Sequence, residues 1–105
     1  MVTGRAVSAT ELGKKYAELV QDDPAVIGIW VREEFGVSEI WVQTEPVDME
    51  HERALFAKVS DLHDVFPYAL LHMHLLNPTF SELEPEEMLS FDLPSDAQSV
   101  FVRRE

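Results

Sequence analysis

The chain is 105 residues long, 46% hydrophobic and without cysteine, and its 20 acidic residues against 8 basic ones give a formal charge of −12. That length and apolar content suit one packed core, while the lack of thiols excludes disulfides, cysteine nucleophiles and sulfur-ligated zinc. The negative field opposes a nucleic-acid backbone; no run reaches the roughly 18 apolar residues that span a bilayer; and MVTGRAVSATELG lacks a signal-peptide core. A cytoplasmic protein with neither nucleic acid nor membrane as partner is expected.

Ser8 stands three residues before Glu11, the spacing of a reciprocal helix cap, and Leu12, Tyr16, Leu19 and Val20 then recur at helical intervals. Gly13 disfavours this helix by about 1 kcal/mol relative to alanine. Asp22, Asp23 and Pro24 close it. The next stretch, AVIGIWVREEFGVSEIWVQTE, is rich in β-branched and aromatic residues and reads as two strands joined by a turn around Glu33 to Gly36. Alternation puts Ala25, Ile27, Ile29 and Val31 on one side of the first strand and Val26, Gly28, Trp30 and Arg32 on the other. In the second strand Ile40 and Val42 point to the core, and Glu39, Trp41 and Gln43 away from it.

After Pro46, Asp48 caps a helix over MEHERALFAKVSDLHDVF, with Leu55, Val59, Leu62 and Phe66 in one stripe and Pro67 at its end. The run YALLHMHLL then alternates Ala69, Leu71, Met73 and Leu75 with a mixed set of Tyr68, Leu70, His72, His74 and Leu76. Its two largely apolar faces predict a central strand. Residues 77–98 form an acidic, proline-punctuated excursion with a short helix starting near Pro85, before SVFVRR adds a last strand, Val100 and Val102 on one side and Phe101 on the other. The expected fold is a single α+β domain over 1–105, in the order α-β-β-α-β-(α)-β, a mixed sheet with two helices packed on one face.

The opposite face collects Trp30, Arg32, Glu39, Trp41, Gln43, His72 and His74. Two histidines at i and i+2 of a strand point the same way with Cα atoms roughly 6.5 to 7 Å apart, so both imidazoles can reach one ion. A stable site needs a third ligand, and Glu39 is the only carboxylate on this face. The simpler reading makes both histidines hydrogen-bonded residues stacked near tryptophans, so no metal, cofactor or catalytic residue is assigned. The two indoles need cover, either from the C-terminal segment or from a partner. His51 and His63, roughly 120° apart around their helix, do not join the pair. The acidic clusters at Glu33-Glu34, Asp48 to Glu52 and Glu82 to Glu87 fit helix capping and solvated charge, since no calcium-loop spacing accompanies them. There is no glycine-rich phosphate loop and no Gly-x-Ser-x-Gly elbow.

In order and spacing, VIGIWV, SEIWVQTE, ALLHMHLLNP and SVFVRR resemble the minimal nucleotidyltransferase fold across almost the whole chain. That family binds magnesium through an Asp-x-Asp pair and a third carboxylate, and holds the triphosphate on a Gly-Ser turn. The resemblance sets Glu39 and Trp41 at the paired aspartates, Gly36-Val37 at the turn, and His72 or His74 at the third carboxylate. One glutamate flanked by indole and imidazole is a poor magnesium site, so the resemblance implies a degenerate, non-catalytic member. The expectation is a binding or assembly module, homodimeric or paired with another protein through the Trp30, Trp41, His72 and His74 face, and not an enzyme. The alternative is a small-ligand or metal-dependent protein that uses Glu39, His72 and His74. An antitoxin-like subunit paired with a small helical protein follows from fold analogy alone.

Overall fold

The computed structural model describes residues 8–80, 84, 86–88 and 93–103. It contains α1 (Ala9–Val20), β1 (Val26–Glu34), β2 (Val37–Thr44), α2 (Met49–Val65), β3 (Leu71–Leu76) and β4 (Gln98–Val102), with a 3-10 turn at Pro78–Phe80. The strands form one mixed sheet in the order β3-β2-β1-β4, where β1 is antiparallel to β2 and β4, and β2 is parallel to β3. A tight turn cannot join parallel neighbours, and α2 supplies the crossover. This is the α+β order expected from the sequence. Residues 86–88 are helical, whereas the expected helix start at Pro85 lies outside the described residues.

Local chemistry accounts for the element boundaries. Ser8 Oγ accepts the Glu11 amide at 3.1 Å and Asp48 Oδ1 the His51 amide at 2.8 Å, so each helix start finds an acceptor for an otherwise orphaned donor. The β1–β2 connection is Phe35-Gly36, with φ of 53° and 78°, the left-handed pair that a two-residue type I′ hairpin demands.

Leu12, Tyr16 and Val20 of α1, Leu55 and Leu62 of α2, and Val26, Ile29, Val31, Ile40, Val42 and Met73 of the sheet share one core. Both helices therefore cover the same face. Tyr16 is fully buried and its hydroxyl donates to Leu55 O at 2.8 Å, which satisfies a polar group that would otherwise be stranded. Burial, reinforced by the Asp23 carboxylate, pushes the phenol well above its usual range.

Two bulges correct the strand assignments. The β1–β2 register shifts between Val26 and Gly28, so Ile27 is the extra residue and alternation reverses before it. Val26 accordingly lies in the helix-side core and not on the open face. The β1–β4 register shifts between Ile29 and Trp30, leaving Val100 as the extra residue. Val100 and Phe101 both pack on the core, while Val102 is 51% exposed.

β3 is also not central: among the described residues it pairs with β2 alone. Its two apolar faces arise because layers lie above and below the sheet, Met73 packing into the helix-side core and Leu76 into a second cluster opposite.

Candidate metal centre

Register assembles the open face. Arg32 of β1 stands opposite Glu39 of β2, which stands opposite His72 of β3; one step along, Trp30, Trp41 and His74 make a second row. Residues directly opposed on neighbouring strands have Cβ atoms about 4.5–5.5 Å apart. The side chains named from the sequence are thus neighbours, and Gln43 continues the face opposite Leu76.

Arg32 Nη2 donates to Glu39 Oε1 at 2.7 Å, and the other carboxylate oxygen meets His74 Nε2 at 3.0 Å. The guanidinium bond is the main cause that holds the Glu39 carboxyl below its ordinary value; the His74 contact adds to it and burial opposes it. The same bond to Glu39 raises Arg32. His74 stacks on Trp41 with ring centroids 5.0 Å apart and 11° between planes. His72 is the exposed member, its ring centroid 4.4 Å from that of His74. With one ligand atom taken from each, Glu39, His72 and His74 come within 4.8 Å of one another. A tetrahedral ion with bonds of about 2.0–2.1 Å holds its ligands about 3.3 Å apart, which modest side-chain rotations reach. Glu39 stands where a third ligand beside the histidine pair would have to come from.

A concavity of about 500 Å³, bordered by Arg32, Trp41, His74 and Pro94, opens on this cluster. The indoles are covered from within. Trp41 is 3% exposed, packed with Leu76 and Met88 and bordered by Trp30, Leu93 and Ala97. Gln43 is buried as well. Trp41, expected on a ligand- or partner-binding face, is therefore covered by the chain's own C-terminal segment. Gly28 makes room for the arrangement, since a Cβ there would lie 2.4 Å from Trp30 Cη2.

The sequence reading missed Asp96, 3.5 Å from Arg32 Nη1, and Pro94. Neither carries a local signal, because both reach the site from the acidic excursion. His51 stands apart from the cluster, with Nε2 2.6 Å from Asp23 Oδ2, and ties α2 to the segment after α1.

The chain matches no family model, no curated protein and no solved structure. Its donor set is nonetheless selective. Two imidazoles and one carboxylate suit zinc, cobalt, nickel or ferrous iron, whereas magnesium and calcium favour all-oxygen surroundings.

Proposed function

We propose that this protein is a non-catalytic binding domain that holds a divalent transition-metal ion through Glu39, His72 and His74. The observation that carries this reading is the convergence of three ligating side chains from two adjacent strands within 4.8 Å. Arg32 holds Glu39 Oε1, Oε2 already lies 3.0 Å from His74 Nε2, so that an ion replacing the proton between them would meet both atoms, and the Trp41 stack fixes the His74 ring. Such outer contacts orient metal ligands and sustain their affinity. A carboxylate already engaged by a guanidinium and an imidazole is poorly disposed to act as a free general base. On the nucleotidyltransferase resemblance, this is the face where that family holds magnesium; imidazole in place of carboxylate favours a softer ion and turns a catalytic face into a binding one.

The test is a Co(II) titration of metal-stripped protein, followed by visible absorption and calorimetry. We expect saturable binding that weakens at least about tenfold in His72→Ala and in Glu39→Gln. His72 is exposed, so its replacement leaves the fold intact, which circular dichroism checks. Equal cobalt affinity of the wild type and His72→Ala would refute the assignment.

A further inference from the structure

Residues 70–76 read Leu-Leu-His-Met-His-Leu-Leu, the same in both directions about Met73. They run into and along β3, an edge strand among the described residues. Edge strands are normally blunted by lysine, proline, charge or a bulge, and this segment contains no lysine, proline or acidic residue. Ser38 N takes Leu70 O at 2.8 Å. In a parallel ladder the even-numbered residues of β3 therefore turn their backbone toward β2, and Leu71, Met73 and Leu75 turn theirs outward. Just before the strand, Tyr68 and Leu70 are 93% and 63% exposed.

We propose that β3 is a self-association edge, along which a second copy of this chain pairs antiparallel about a two-fold axis at Met73, and that the histidines of both copies share one transition-metal ion. The inference rests on the metal reading above for that ion. In this register the outward groups of Leu71, Met73 and Leu75 exchange backbone hydrogen bonds with those of the second copy. His72 then faces His74 of the partner subunit in the non-hydrogen-bonded pairing, the closer kind, with Cα atoms about 4.5 Å apart. Directly opposed residues of an antiparallel pair point to one face, so four imidazoles rise on the side that carries Glu39.

The occupant is a second copy because a two-fold interface must be complementary to itself, and the palindrome sets leucine against leucine and methionine against methionine. An ion on the two-fold axis takes the same ligands from each copy, so the four facing imidazoles make a tetrahedral set that neither chain completes alone. Each chain carries a formal charge of −12, which opposes self-association. A cation at the seam offsets that repulsion locally, so the dimer depends on metal.

Light scattering and cobalt stoichiometry on the whole chain test this together. We expect the mass to double as Co(II) is added, saturation near one ion per two chains, and reversal with EDTA. Leu71→Pro removes an outward N–H and no bond to β2, so it should keep the fold by circular dichroism and still bind cobalt, yet stay monomeric. A monomer that binds one ion per chain would overturn the shared-edge inference and leave the metal site standing. A protein that binds no ion would overturn both, as would wild type and His72→Ala binding cobalt equally. A dimer that persists in EDTA and in Leu71→Pro would place self-association on another surface.

Discussion

At Gly13 a residue disfavoured by local propensity is required by packing. A Cβ at this position would lie 2.4 Å from Val31 Cγ1 and 3.1 Å from Val100 Cγ2, so α1 can lie close on β1 and β4 only where it has no side chain. Gly13→Ala improves helix propensity by about 1 kcal/mol but forces methyl groups together at a fully packed contact, an effect of about 1–3 kcal/mol. The side chains it meets are β-branched and stiff at χ1, so the clash prevails. We expect Gly13→Ala to lose up to about 2 kcal/mol in urea unfolding. The double variant with Val31→Ala should lose less than the sum of the two single changes, because the shortened side chain vacates the contact. None of this is legible in the sequence, where a glycine inside a helical stripe registers only as a penalty and its neighbours lie on distant strands.

Elements show the same division between local and remote causes. Caps and stripes act within one or two turns, which is why Ser8, Asp48 and the Leu55, Val59, Leu62, Phe66 series could be read directly. The bulges at Ile27 and Val100 could not, since both are ordinary strand-forming residues and parity alone does not reveal an extra residue. Parity does hold from Gly28 through β2 and β3, so the membership of the open face was legible even though its internal cover was not. The end of α1 is closed from far along the chain. Its last turn contains no basic residue, and Arg103 supplies the cation, with Nε donating to Val26 O at 2.8 Å and Nη2 to Gln21 O and Asp23 O, each at 3.0 Å. The Gln21 and Asp23 carbonyls belong to the C-terminal end of α1 and the loop after it, where backbone acceptors are otherwise orphaned, and Val26 opens β1. We expect Arg103→Ala to lose about 1.5–3 kcal/mol. Faster amide exchange should appear at the start of β1, and Arg103→Lys should recover little because an ammonium cannot reproduce the planar fork.

Across the whole molecule, Glu39 joins β1 to β3 through Arg32 on one oxygen and His74 on the other. A carboxyl held below its ordinary 4.5 by these contacts binds its proton less readily in the folded chain than in the unfolded one. Its contribution to stability is therefore fully present above pH 4.5 and is lost as the pH falls below that value through the folded pKa. Glu39→Gln should melt below the wild type at neutral pH, and the gap should narrow in acid, as thermal unfolding across that range measures directly. A metal ion changes the size of this gap. Binding to the native state alone adds RT ln(1 + [L]/Kd), about 2.7 kcal/mol at a hundredfold excess over Kd, and a tenfold weaker Glu39→Gln forfeits about half of that term along with the ion pair. Cobalt at neutral pH should therefore widen the difference in melting temperature, and EDTA should return it to the metal-free value. A gap indifferent to cobalt would confine Glu39 to bracing the sheet, whereas a gap that grows with cobalt concentration ties the same carboxylate to both the fold and the ion.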